Sequence, residues 1–233
     1  MATSGSTNFS QTLREAATEA LVMVGAIARG DTPEAADMSA ALKAANLMVK
    51  TWSADPDPKL WLETEGTVTL IASTASYTLS AARKVMSARR RTGTGTATND
   101  TPIAVIGRQE YLDRANKFST GAPLEVYFDP QRAARILYVW PVPDATIAAS
   151  TTIPYTYLRV IEDLDALDDD FDVPQEWVEV IQYGLAARLA LPYDLHLINP
   201  AKAQKIEERA AQLYAQLSSY DEESASVFFQ PDC

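Results

Sequence analysis

Trp52-Ser53-Ala54-Asp55-Pro56-Asp57-Pro58 is where this chain changes its period. Two closely spaced prolines remove two backbone donors and push the residues before them out of the helical region, so no helix runs through the stretch. Before it, apolar residues recur every three to four positions. After it, they come in short runs rich in Val, Ile, Thr and Tyr, and helical spacing returns only beyond residue 172. The fold class read from these two switches is α+β: a helical bundle made from N- and C-terminal helix pairs, an inserted antiparallel β domain, and an extended C-terminal tail.

On the N-terminal side, Leu13, Ala17, Ala20, Leu21, Val24 and Ile27 mark a helix over Ser10 to Arg29, with Gly30 placed to stop it. Thr32 as N-cap, Pro33 in the first turn and the early acid Glu34 open a second helix. Its stripe is Met38, Leu42, Ala45, Val49 and Trp52. The short link at Arg29 to Asp31 makes the two an antiparallel hairpin.

On the C-terminal side, the spacing predicts strands at Thr67–Ile71, Ser76–Leu79, Lys84–Ala88, Ile103–Ile106, Leu124–Phe128, Ile136–Trp140 and Ile153–Leu158. Turn-forming residues separate them, notably Thr92-Gly93-Thr94-Gly95-Thr96 and Asp129-Pro130-Gln131. A short helix is expected at Gln109 to Asn116. After the acidic stretch Glu162 to Asp172, a third long helix carries Trp177, Val180, Ile181, Leu185 and Leu189 until Pro192. A fourth runs from about Pro200 to Tyr220. An isolated helical hairpin leaves apolar surface bare, so both pairs are expected in one bundle. The expected divisions are 1–62, 63–160, 161–220 and an arm over 221–233.

Composition narrows the function classes. The chain has 233 residues, 47% of them hydrophobic, with 20 Lys and Arg against 31 Asp and Glu, for a net charge of -11. That share supports a packed core, and the field disfavours general affinity for nucleic acid. A lone cysteine, Cys233, provides neither an internal disulfide nor a Cys-based zinc site. No signal peptide is visible, so synthesis in the cytoplasm is expected, and no apolar run approaches the roughly 20 residues of a membrane span.

No catalytic pattern emerges. Asp163, Asp165, Asp168, Asp169, Asp170 and Asp172 are dense but lack the order of a calcium loop, and Asp172 suits an N-cap. They read as solvated loop charges. His196, the only histidine, sits between Leu195 and Leu197 with no motif linking it to a serine or to Cys233, and reads as packing or capping. Gly93 and Gly95 have no P-loop lysine beside them. No cofactor and no metal are expected. The basic cluster Arg83, Lys84, Arg89, Arg90 and Arg91 precedes the Thr/Gly turn. It is read as a solvated strand end or as a basic loop, Arg89 to Arg91, that meets an acidic neighbour subunit or the tail, with DNA as the lesser alternative. Val227-Phe228-Phe229, following Asp221-Glu222-Glu223, lies beyond the last helix with no core of its own. Leaving two phenylalanines bare costs roughly 1.5–3 kcal/mol each, so the arm is expected to dock, either back on its own bundle or, as the preferred reading, on another chain.

Several blocks carry a resemblance. They are Glu19-Ala20-Leu21 through Val24-Gly25-Ala26-Ile27, Pro33-Glu34, Leu42 to Trp52 and Leu60-Trp61. More specific are Arg108-Gln109-Glu110-Tyr111, Thr120-Gly121-Ala122-Pro123, Tyr127-Phe128-Asp129-Pro130 and Leu137-Tyr138-Val139-Trp140-Pro141-Val142-Pro143. Tyr157-Leu158-Arg159, Asp165 to Asp170 and Val173-Pro174-Gln175-Glu176 complete the series. In this order they resemble the portal-proximal head-to-tail adaptor, or tail accessory factor, of short-tailed bacteriophages. The resemblance implies a structural virion protein in the neck, not an enzyme. It implies a ring of twelve identical subunits with the portal protein above and a tail tube, nozzle or hub below. DNA would pass through without specific binding, and no membrane is involved. Val227, Phe228 and Phe229 would then be portal-binding. The alternative from the same resemblance is a virion-associated peptidoglycan hydrolase, for which no residues can be assigned.

Overall fold

A computed structural model describes residues 5–7, 9–54, 59–93, 95–132 and 134–220. In chain order the elements are α1 (Leu13–Val24), α2 (Ala35–Ser53), β1 (Glu63–Thr69), β2 (Ser76–Thr78), β3 (Ala82–Thr92), β4 (Asn99–Ile106) and α3 (Arg108–Leu112). They continue with β5 (Glu125–Pro130), β6 (Arg135–Trp140), α4 (Ala145–Ser150), β7 (Thr151–Arg159), α5 (Val178–Ala190), α6 (Leu195–Ile198) and α7 (Pro200–Tyr220). The chain is mixed α+β and divides into two compact units. One comprises 1–61 with 161–233, the other 62–160.

In the helical unit, Thr12 and Glu15 close a capping box, each side chain accepting the other's backbone N–H, at 3.3 and 3.2 Å. The helix ends sooner than expected. Gly25 takes the left-handed conformation (φ 83°) and its N–H returns to the carbonyls of Leu21 and Val22. Gly25 rather than Gly30 is therefore the stop, because the first glycine able to adopt that conformation satisfies the free carbonyls. Helix α2 likewise begins later than the Thr32 cap predicts, with Glu34 as an N-cap that makes no side-chain bond.

Leu13, Ala17, Leu21, Ala41, Ala45, Leu185, Leu189, Ala203 and Ile206 belong to one core drawn from α1, α2, α5 and α7. The helices approach closely at Gly184, where a Cβ would stand 2.8 Å from the Met48 Sδ. A ring cluster adjoins it: Trp177 lies 5.6 Å from Trp52, 6.0 Å from Trp61 and 5.8 Å from Tyr214 between centroids.

The other unit is built on a seven-stranded sheet in the order β1-β7-β3-β4-β5-β6-β2. Val68, Leu79, Val85, Ile103, Val126, Leu137, Val139 and Ile153 contribute to its core. The sheet is not wholly antiparallel, which corrects the expectation. β4 and β5 run parallel, Val105 opposite Val126. Residues 107–124, with α3 inside them, form the crossover that a parallel pair requires. Helices α4 and α6 are additional to the elements expected from period. Asp144 caps α4 by accepting from the Ile147 N–H at 2.9 Å.

Candidate interaction surfaces

Arg89, Arg90 and Arg91 lie within β3, opposite Pro102, Thr101 and Asp100 of β4. Strand alternation puts Arg89 and Arg91 on one face with acidic partners. The Arg91 guanidinium grips Asp100 with Nε and Nη2 at 2.7 and 2.6 Å, and Arg89 pairs with Glu65 and, at 3.5 Å, with Asp100. The Arg91 hydrogen bond holds the Asp100 carboxyl below its usual range. On the opposite face Arg90 donates to the Pro123 carbonyl at 3.4 Å. Residues 89–91 are the end of a strand, the first of the two readings, with Arg89 and Arg91 paired to acids of the same sheet.

Three sequence blocks separated along the chain meet on another part of the same unit. Tyr111 of α3 stacks on Tyr127 of β5 at 5.2 Å and packs on Tyr138 of β6 at 5.2 Å. Arg114 forks onto Glu125 at 2.9 and 2.5 Å and covers the Trp140 ring at 5.1 Å. The Trp140 indole N–H donates to the Asn116 carbonyl at 2.9 Å, and Lys117 donates to the carbonyls of Leu112 and Arg114. These bonds hold residues 108–118 against the sheet. Held in this way, Leu112, Phe118 and Leu124 stay in solvent, Phe118 being 81% exposed. Nothing in their spacing distinguishes them from core residues; only the fold reveals that they lack cover.

In the helical unit the acidic stretch is tied locally. Asp168 pairs with Arg14 at 2.8 Å and Asp163 with Lys50. Asp169 accepts from the N–H groups of Asp165 and Ala166 at 2.8 and 2.7 Å, and Asp172 from Glu162 N–H at 3.1 Å. Asn46 fastens the loop to α2 by exchanging two bonds with the Leu164 backbone, at 2.8 and 3.0 Å. His196 faces a single carboxylate, Glu207, at 3.2 Å. Among the described residues no group of three or more His, Cys, Asp or Glu could hold a metal ion, and no helix is long and apolar enough to cross a membrane. Leu47, Leu191, Leu197 and Ile198 are exposed on this unit. Val227, Phe228 and Phe229 lie outside the described residues.

What the geometry offers is surface: apolar side chains held outward by firm local bonding. Comparisons with known proteins bear on what kind of protein this is. No curated protein matches. Among solved structures, the chain is similar to one described as the neck of an empty GTA particle computed with C6 symmetry. The identity is 12% and the TM-score 0.29, over 86% of this chain and 93% of that one. The family model described as SU10 adaptor protein matches residues 7–228. With that match spanning nearly the whole sequence, the chain belongs to the SU10 adaptor protein family.

Proposed function

We propose that this chain is a non-catalytic structural subunit of a phage neck. It forms a ring, expected to hold twelve copies, that joins the portal to the tail tube, nozzle or hub and continues the DNA passage. The family match over residues 7–228 carries this reading. In it the two helix pairs form one bundle, and residues 221–233 an extended arm.

The surfaces support it. A ring subunit presents different faces to its two neighbours, so more apolar surface is needed than one core consumes. Phe118, Leu124, Leu191, Leu197 and Ile198 supply such surface. A net charge of -11 suits a conduit that repels passing DNA instead of holding it. The test is light scattering of the purified full chain with and without portal protein, followed by electron microscopy. Rings on the portal vertex are expected; a chain that ignores the portal would exclude the role.

A further inference from the structure

We propose that a groove on the helical unit receives the segment Asp221 to Phe229 of a second copy of this chain. The inference rests on the reading that copies assemble together. The groove encloses about 300 Å³ and is lined by Met23, Tyr183, Lys202, Lys205, Ile206 and Arg209. Its floor is apolar: Met23 of α1 and Tyr183 of α5 pack against the main core, and Ile206 is part of it. Its rim is basic, since positions 202, 205 and 209 fall on one face of α7.

Arg209 is paired with Glu179 at 2.9 Å. Lys202 and Lys205 make no side-chain ion pair or hydrogen bond among the described residues. In a chain of net charge -11, two unpartnered ammonium groups beside an apolar floor ask for an acidic segment with an apolar anchor. Asp221-Glu222-Glu223, followed by Val227-Phe228-Phe229, has that order.

Reach decides which copy supplies it. At about 1.5 Å per residue, α7 places Lys205 about 22 Å and Lys202 about 27 Å back from Tyr220. Glu223 is three residues past Tyr220 and spans about 10 Å at full extension, much of it used in reversing direction. A chain's own Asp221, Glu222 and Glu223 therefore fall short of Lys202 and Lys205, the two unpartnered lysines of the rim; a sister copy is not so limited. From Glu223 to Phe228 an extended segment covers about 17 Å, enough to seat the rings on the floor while the acids meet the lysines. In this arrangement Phe228 and Phe229 anchor on a sister subunit, whereas the resemblance implies the portal.

The test replaces Phe228 with the photo-crosslinking residue benzoylphenylalanine in the full chain. Irradiation is expected to give covalent dimers joined at Met23, Tyr183 or Ile206. Their yield should fall at least fivefold in the double variant Lys202→Glu, Lys205→Glu. It should recover when Asp221→Lys, Glu222→Lys and Glu223→Lys are added. Cross-links within one chain, at another surface, only to added portal, or none at all would overturn the inference. Light scattering of the same samples with portal separates the two readings. Rings without the groove cross-link sink the inference alone, and the cross-link without rings sinks the neck reading alone.

Discussion

Truncating Trp177 to alanine tests the account of the helical unit most directly. The side chain is 2% exposed and meets three rings: Trp52 of α2, Trp61, and Tyr214 of α7, at 5.6, 6.0 and 5.8 Å. Removing a buried aromatic costs about 3–5 kcal/mol through lost transfer energy and the cavity left behind. Each ring pair adds about 0.5–1.5 kcal/mol beyond area, though pairs sharing one residue do not sum. The expected loss is therefore in the upper part of the range, about 4–5 kcal/mol, or roughly a thousandfold in the folded-to-unfolded ratio. The melting temperature should drop by roughly 8–20 °C. Urea and thermal unfolding followed by far-ultraviolet circular dichroism read this, since the change itself removes a fluorescent reporter. Trp177→Phe, which keeps a ring in the site, should lose less than half as much. A Trp177→Ala loss under about 2 kcal/mol would refute the reasoning, because it would mean that the cluster does not tie α2, α5 and α7 together.

Two further outcomes are expected. Gly66 lies under the Tyr155 ring, where a Cβ would stand 2.5 Å from Cζ; Gly66→Ala should cost about 1–3 kcal/mol in urea melts, and the added change Tyr155→Ala should remove most of that extra penalty. Burial, helped by a hydrogen bond to Asp37, pushes the Tyr193 hydroxyl up to about 12. Its folded value lies above the unfolded value of 10, so the contribution is complete below pH 10 and fades as pH rises toward 12. Relative to Tyr193→Phe, wild-type stability should fall across that window, and the variant should cost about 1.5 kcal/mol at neutral pH; parallel pH profiles would disprove the assignment.

The helices were largely legible because their signals are local. Leu13, Ala17, Ala20, Leu21 and Val24 all lie buried in α1, and Val180, Ile181, Leu185 and Leu189 in α5. The end of α1 was misplaced since Gly25 and Gly30 both take positive φ and period alone does not rank them. An antiparallel β domain is the expectation from short strands and turns, which do not say which strands pair; the helix between β4 and β5 is the insertion that permits their parallel crossover. Arg89 to Arg91 admit both a strand end and a loop, because their charge masks strand period; Glu65 and Asp100 hold Arg89 and Arg91 in the strand. Both acids come from other strands, Asp100 nine residues past Arg91 and Glu65 twenty-four residues before Arg89, and only the sheet brings them to the arginines.

The amino-acid sequence by itself determined the types of the long elements, the change from helix to strand between Ser53 and Glu63, and the family blocks. Those depend on dihedral preference and on apolar spacing over a turn or two, which neighbouring residues set. Only the tertiary structure decided the strand order, the meeting of Tyr111, Tyr127 and Tyr138, and which apolar residues remain bare. Pairing and burial are contests among segments distant in the chain. A leucine at the surface and one in the core differ only in what the rest of the molecule brings to them.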